Sequence, residues 1–294
     1  MKKRVFAFLL AGMMAAFAAG CGQDGETPDV QESQTAQNTQ AAQDTQAAAS
    51  AQAEDTEKRT TFTVGFDAEF PPYGYVDENG EYVGFDLDLA EEVCRRNGWE
   101  LVKQAINWDS KDMELSAGTI DCIWNGFTMN GREDQYTFSV PYVDNSQVFV
   151  VAADSGITSP ADLAGKTVGV QKESSAQAAL ESEDKAELLA SFAELKKYAD
   201  YNTAFMDLEA GAIDALAMDI GVANYNISQR DGGFVILDEQ LASEQYAIGF
   251  LLGNTELKDQ VETTLLEMAE DGTFVQIAEK YADFGLMDSI CLGK

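Results

Sequence analysis

Residues 61–98 read TFTVGFDAEFPPYGYVDENGEYVGFDLDLAEEVCRRNG, and this stretch decides the fold class. Its first six residues are mostly β-branched or aromatic, which predicts a strand. Turn signals follow at Pro71-Pro72 and at Asn79-Gly80, so a loop is expected after the strand. This loop leads into a segment in which the apolar residues have a different spacing.

The second half of the same stretch predicts a helix over residues 86–97. Apolar side chains at positions 87, 90, 93 and 94 share one helical face, Asp86 can cap the start, and Gly98 can end the helix. Strands and helices continue to alternate as far as a long amphipathic helix at residues 256–271. This alternation predicts an α/β fold with a largely parallel sheet.

The N-terminal segment has the features of a targeting signal. Basic residues at positions 2–4 precede a short apolar run, and small residues lead directly to Cys21. We predict a signal peptide over residues 1–20 and lipidation of Cys21, as in a bacterial lipobox. The alternative is an ordinary signal peptide that happens to precede a cysteine.

Residues 21–59 contain no aromatic residue and many Gln, Ala and Thr residues. Such a segment buries too little apolar surface to offset the entropy of ordering, so it is predicted to be a disordered tether. The ordered part of the chain would then be extracytoplasmic and anchored to the cell membrane by the lipid on Cys21.

The composition excludes several classes of function. The net charge of −32 repels nucleic acid, so no nucleic-acid partner is expected. The chain contains no His, which excludes a His-dependent catalytic triad and argues against a zinc site. We expect neither a metal nor another cofactor. One disulfide among Cys94, Cys122 and Cys291 is compatible with an oxidising compartment, but the sequence does not choose the pair.

Eight motifs follow one another along the ordered part of the chain. They are VGFDAEFPPYGY, EYVGFDLDLAEEV, AGTIDCIWNGFT, YTFSVPY, SPADLAGKTVGVQKESSAQ, GAIDALAMD, QYAIGF and DGTFVQIAEKYAD. In this order and at this spacing the chain resembles the family-3 extracellular solute-binding proteins, which bind polar amino acids for ABC importers. The resemblance covers nearly all of the sequence after residue 60.

The resemblance implies a two-lobed periplasmic-binding-protein-like fold with two hinge crossovers. Lobe 1 would comprise residues 60–144 and 245–294, and lobe 2 residues 145–244. A free L-amino acid would bind in the cleft, and the lobes would close over it. The other implied partners are the permease subunits of an ABC importer, and the protein is expected to be a monomer that catalyses no reaction.

The α-carboxylate of an amino acid needs an anion receptor, and Arg132 is the candidate. A guanidinium pairs with a carboxylate through two parallel hydrogen bonds. Family members usually place this Arg one residue later, which implies a one-residue deletion here. The backbone N–H groups of Thr128 and Ser175, with the Ser174 hydroxyl, would complete the receptor. The alternative for Arg132 is a solvated surface side chain.

The α-ammonium group needs acceptors, and Asp219 is the candidate. It ends the apolar strand ALAM, where a charged residue is rare unless it is used or exposed. The alternative is that Asp219 caps the following helix. The Gly126 carbonyl and the Thr128 hydroxyl would supply further acceptors.

Lobe 1 is expected to supply the pocket for the side chain of the ligand. Asp67 and Phe70 follow the first strand, and Trp108 ends the second, where the family has an aromatic residue that packs on the ligand. The alternative for both aromatics is a place in the core. Asp67 matches a position that in relatives contacts the far end of Gln, Lys, Arg or His ligands, which favours a polar or basic amino acid.

Two other functions are compatible with the same cleft. One is an enzyme built on this fold, such as a cyclohexadienyl dehydratase, in which Asp67, Glu69 and Glu173 would act as acid–base groups. Turnover of prephenate or arogenate would reveal it. The other is an amino-acid sensor, and a neighbouring permease and ATPase gene pair would instead favour transport.

Overall fold

A computed structural model describes residues 59–230 and 232–293 of the chain. The predicted signal peptide, the predicted lipidation at Cys21 and almost all of the tether lie outside the described residues. No helix in the described ranges is both long enough and apolar enough to cross a membrane.

The described residues alternate between short strands and helices. The strands are β1 (Thr61–Phe66), β2 (Glu69–Phe70), β3 (Gly74–Val76), β4 (Tyr82–Val83), β5 (Glu100–Ala105), β6 (Cys122–Ile123), β7 (Tyr136–Phe138), β8 (Val143–Ala152), β9 (Thr167–Gln171), β10 (Glu194–Tyr198), β11 (Ala215–Asp219), β12 (Phe234–Ile236), β13 (Ala242–Tyr246) and β14 (Gly249–Leu251). The helices are α1 (Phe85–Asn97), α2 (Lys111–Ala117), α3 (Ser175–Leu180), α4 (Ala186–Ser191), α5 (Tyr201–Glu209), α6 (Ile220–Ser228), α7 (Thr255–Glu270), α8 (Thr273–Glu279) and α9 (Leu286–Ser289). The predicted α/β class is confirmed.

Two separate sheets form the centres of two lobes. In the first, the spatial order is β5-β1-β6-β14-β7, with β5, β1 and β6 parallel and β14 antiparallel to its neighbours. In the second, the order is β10-β9-β11-β8-β12, with β9, β10 and β11 parallel and β8 antiparallel to β11 and β12. Parallel strands bring their carboxyl ends to one edge, which is where ligands of open α/β sheets bind.

The chain crosses between the sheets along β8 and along the segment from β13 to β14. β8 pairs with β13 in antiparallel register, with Asn145 opposite Glu244 and Asp144 opposite Gln245. The motif QYAIGF divides between β13 and β14, which belong to different sheets. The predicted lobe boundaries thus fall at residues that face each other across the β8–β13 pair.

Helix α1 begins one residue earlier than predicted, and Asp86 does not cap it. Gly84 is the N-cap, with φ of 143°, and a Cβ there would lie 2.2 Å from the Tyr73 carbonyl oxygen. Asp86 instead lies in the first turn and is fully buried, where its Oδ2 accepts hydrogen bonds from Gly126 N at 2.6 Å and from the Tyr142 hydroxyl at 2.8 Å. Burial raises the pKa of this carboxyl to about 7.

Candidate ligand-binding cleft

Residues of both lobes line a small cavity in the cleft. They are Phe70, Trp108, Gly126, Thr128, Arg132, Gln171, Ser174, Ser175 and Asp219. The space free of protein atoms is about 230 Å³, and the hydrogen bond from Gln171, which lines it, to Asp67 joins the two lobes. The structure therefore brings together all the predicted site residues except Asp67, and it adds Gln171.

Arg132 lines the cavity with most of its guanidinium unpaired. Its Nη1 donates to the Thr128 carbonyl oxygen at 3.0 Å, and its guanidinium carbon lies 4.9 Å from the centroid of the Phe127 ring. Among the described residues, no carboxylate forms an ion pair with Arg132. Its remaining N–H groups are free to bind an anion bidentately.

The two serines next to Arg132 are held by different contacts. Ser174 is the N-cap of α3, and its Oγ accepts the backbone N–H of Gln177 at 3.1 Å. Ser175 Oγ accepts from Gln147 Nε2 at 2.9 Å and donates to Glu244 Oε1 at 3.2 Å. The Ser175 hydroxyl proton is thus already used, whereas its backbone N–H lies in the first turn of α3, where no intrahelical acceptor exists for it.

Asp219 is buried at the end of β11, on the lobe 2 side of the cavity. Its Oδ1 accepts hydrogen bonds from Asn145 Nδ2 at 3.0 Å, Gln147 Nε2 at 2.5 Å and the Tyr246 hydroxyl at 2.6 Å. It occupies the N-cap position of α6, but its side chain makes no capping bond. Burial, with the nearby charge of Glu244, raises the pKa of this carboxyl to about 7.

Glu244, on β13, is a second buried carboxylate that sequence reasoning missed. Its Oε1 accepts from Thr128 Oγ1 at 2.8 Å and from Asn145 Nδ2 and Gln147 Nε2, both at 2.7 Å. The available signal was the alternation of polar residues along two segments, 145 with 147 and 244 with 246. That signal becomes informative only once the two segments are known to pair.

Asp67 does not line the cavity, because Gln171 of the opposite lobe bonds directly to it. Gln171 Nε2 donates to Asp67 Oδ2 at 2.6 Å and to the Ala199 carbonyl oxygen at 3.2 Å. Burial raises the pKa of Asp67 to about 6, against the backbone hydrogen bond from Glu69 and the bond from Gln171. Since both N–H groups of Gln171 are used, its carbonyl oxygen is the group left for a ligand.

Two aromatic rings form the wall of the cavity on the lobe 1 side. Phe70 and Trp108 are nearly parallel, at 5°, with ring centroids 6.5 Å apart. Trp108 was predicted to end the second strand, but β5 ends at Ala105 and Trp108 begins a 3-10 turn. Both rings are almost fully buried, so each contributes to the core and to the cavity wall at once.

Gly126 allows the lobe 1 loop to approach the aromatic residues closely. Its φ is 55°, and a Cβ at this position would lie 2.8 Å from Phe70 Cε1 and 3.0 Å from Tyr246 Cε2. Its N–H donates to Asp86, which holds the peptide unit just before the predicted acceptor, the Gly126 carbonyl. Only glycine combines this backbone conformation with this little space.

Two α/β lobes with a guanidinium and a buried carboxylate on the wall of the cavity between them are typical of a solute-binding protein. The sequence matches the bacterial extracellular solute-binding proteins, family 3, over residues 62–284. The chain belongs to this family. The predictions of the family, of the two-lobed fold and of solute binding are confirmed.

Relatives in this family are named for amino acids. The chain is 29% identical to the L-cystine-binding protein TcyA of Bacillus subtilis (strain 168), over 96% of this chain and 97% of that protein. A substrate-binding protein of an ABC uptake transporter from Streptococcus pneumoniae, solved with bound histidine, is 35% identical, with a TM-score of 0.72 over 75% of this chain and 92% of that one. An ancestral arginine-binding protein bound to arginine is 36% identical, with a TM-score of 0.71 over 76% of this chain and 99% of that one.

Proposed function

We propose that the chain captures one free L-amino acid with a polar or basic side chain and delivers it to the permease of an ABC importer. The observation that carries this proposal is the placement of Arg132 and Asp219 on the wall of one closed cavity. A guanidinium and a carboxylate that line one cavity match the carboxylate and the ammonium of an α-amino acid. The protein then acts by binding and closure, without turnover.

Recognition of the head group uses charge on both sides. Arg132, with the backbone N–H groups of Thr128 and Ser175, would bind the α-carboxylate. Asp219 would bind the α-ammonium, together with the Gly126 carbonyl and the Thr128 hydroxyl. Because Thr128 and Asp219 are buried, their interactions with the ligand would be stronger than in solution.

The far end of the cavity favours a ligand that donates hydrogen bonds. Gln171 offers its carbonyl oxygen there, and the Asp67 carboxylate lies directly behind it. An ammonium, guanidinium, imidazole or amide N–H would be attracted to this pair, whereas a side-chain carboxylate would be repelled. The relatives named above bind cystine, histidine and arginine, all of which carry such donors.

A thermal-shift screen of residues 59–294 against the twenty L-amino acids and cystine tests the proposal. A ligand present at 100 times its Kd should stabilise the protein by about 2.7 kcal/mol. Small-angle scattering with the best ligand should show a smaller radius of gyration if residues 60–144 with 245–294 and residues 145–244 close as two lobes. If no amino acid raises the midpoint, or if prephenate or arogenate is converted to product, the proposal fails.

Replacing Asp67 by Asn tests the preference for donor side chains. We expect Asp67→Asn to weaken the binding of L-arginine and L-glutamine about tenfold. An Asn side chain can donate a hydrogen bond to the Gln171 carbonyl oxygen, which would then point away from the ligand. Amino acids without a side-chain donor should lose less. Isothermal calorimetry gives both affinities, and Asp154→Asn, at an exposed position, is the matched control. An equal loss across all amino acids would contradict the assignment.

The anchor is a proposal about residues outside the described part of the chain. We propose that Cys21 is lipidated after cleavage of residues 1–20, and that residues 21–59 tether a monomer to the cell membrane. The full chain, expressed in a bacterial host, should partition into the detergent phase of Triton X-114, and Cys21→Ser should move it to the aqueous phase. Identical partitioning of the two proteins would refute the anchor.

A further inference from the structure

Glu244 collects hydrogen bonds from both lobes and from the crossover between them. Its Oε1 accepts from Thr128 on lobe 1, from Ser175 on lobe 2, and from Asn145 and Gln147 on β8. The side chain is 8% exposed, so these contacts form away from bulk water. Glu244 does not itself line the cavity that contains Arg132 and Asp219, but Thr128 and Ser175 do.

These contacts decide whether the hydroxyls of Thr128 and Ser175 can donate or accept a further hydrogen bond. A hydroxyl carries one proton, so a hydroxyl that donates to Glu244 has only lone pairs left for another partner. Thr128 Oγ1 donates to Glu244 at 2.8 Å, and Ser175 Oγ donates to it at 3.2 Å. Toward a ligand both hydroxyl oxygens can therefore act only as acceptors, which suits an ammonium group and not a carboxylate.

The surroundings of Glu244 contain several hydrogen-bond acceptors, and no cation of the described residues forms an ion pair with it. The Asn145 and Gln147 amides spend their N–H groups on the two carboxylates, and their buried carbonyl oxygens have no hydrogen-bond partner. No Lys or Arg of the described residues forms an ion pair with Asp219 or Glu244. Two carboxylates that share amide donors without a counter-ion favour a positive ligand group at this place.

We propose that Glu244 is a positioning residue of the ammonium receptor, which acts through Thr128 and Ser175 by holding both hydroxyls as acceptors when the lobes are closed. This inference rests on the proposed amino-acid binding. Strand β13, which carries Glu244, would then contribute to the preference for a positively charged ligand group. Because Thr128 and Ser175 come from different lobes, the same contacts also couple ligand charge to closure.

Several charged and titratable groups lie around Glu244. Asp219 and the buried phenols of Tyr73, Tyr201 and Tyr246 interact with it, and a wider pocket of the cleft is lined by Glu244 together with Lys111, Arg132 and Glu173. Burial holds the pKa values of these three phenols well above the usual 10, so they stay neutral from pH 5 to 8. Over that range the phenols do not change charge, whereas Asp219, with its pKa raised to about 7, does.

Glu244→Gln keeps the size of the side chain and removes its charge. At pH 8, we expect it to weaken amino-acid binding about tenfold, whereas Glu239→Gln, an exposed substitution on the preceding loop, should leave affinity within twofold. The Glu244 charge also raises the pKa of Asp219. Glu244→Gln should therefore move the acid midpoint of binding to lower pH, which a merely structural defect would not do.

Titrating each variant against the twenty L-amino acids and cystine, between pH 5 and 8, separates the outcomes. If the wild type binds none of them, the proposed function and this inference fail together. If the wild type binds but Glu244→Gln keeps its affinity and its acid midpoint, the inference alone is overturned.

Variants of Thr128 keep the inference testable if circular dichroism shows that Glu244→Gln does not fold. Thr128→Ser keeps the hydroxyl, and Thr128→Val replaces it by a methyl group of similar shape. We expect the Val variant to lose about tenfold in affinity and the Ser variant less than threefold. Where all variants fold, Glu244→Gln should add little to Thr128→Val, because residues in one network are not additive. Full additivity, or a Val variant with wild-type affinity, would overturn the proposal.

Discussion

Asp219→Asn is expected to abolish measurable amino-acid binding while raising the thermal midpoint of the ligand-free protein at pH 8. The carboxylate is 3% exposed and lies beside Glu244, so its ionised form destabilises the folded protein. A neutral amide removes that cost but cannot pair with an ammonium. Losing one partner of a buried charge pair costs about 2–5 kcal/mol, which is roughly 30-fold to several thousand-fold in Kd.

The companion substitution, Arg132→Ala, should weaken binding by a similar factor with little effect on stability. Arg132 is half-buried and has no ion pair in the described part of the chain, so its removal leaves no protein carboxylate unpaired. Calorimetry gives the affinity and circular dichroism the midpoint. Arg95→Ala and Asp154→Asn, at exposed positions, are the matched controls. A Kd within threefold of the wild type in either test variant would refute the head-group assignment.

Much of the fold could be predicted because the signals for it are local. Turn residues, the apolar spacing of α1 and the β-branched strands each depend on residues a few positions apart. The order of the eight motifs then placed Arg132 and Asp219 in one cleft, more than eighty residues apart in sequence. Most of the predicted residues do line one cavity, although their contacts with a ligand stay a prediction.

The missed features depend on pairings that no local pattern reveals. Glu244 meets Asn145 only because β8 and β13 are neighbours, and Gln171 meets Asp67 only because the lobes are closed. Asp86 was expected to cap α1 because it precedes an apolar run, but it is buried, where it accepts hydrogen bonds from Gly126 N and the Tyr142 hydroxyl. In each case a polar side chain is buried because a distant partner satisfies it.

Acidification from pH 8 to pH 5 is expected to act in opposite directions on stability and on affinity. Burial raises the pKa values of Asp67 to about 6 and of Asp86 and Asp219 to about 7, above their common unfolded value of 3.8. Between about pH 4 and 7 the folded protein therefore binds more protons than the unfolded chain, so the free energy of unfolding rises as the pH falls. Carboxylates held by arginine respond in the other direction, but Glu92, with its pKa lowered to about 2, does so mainly below this window.

Affinity should fall over the same range because an ammonium group binds the ionised form of Asp219. Below about pH 7 each bound amino acid must displace a proton, which weakens the association constant by up to tenfold per pH unit. Thermal midpoints with and without a saturating amino acid should therefore converge as the pH approaches 5, with the ligand-free midpoint rising to meet the other. Asp86→Asn should make the free energy of unfolding less dependent on pH and leave the pH dependence of affinity unchanged, because Asn can still accept from Gly126 N. Asp219→Asn should leave no measurable binding whose pH dependence could be followed. A ligand-free midpoint that falls on acidification, or a ligand-induced shift that is the same at pH 5 and pH 8, would mean that these buried carboxyls are not the groups that couple protons to binding.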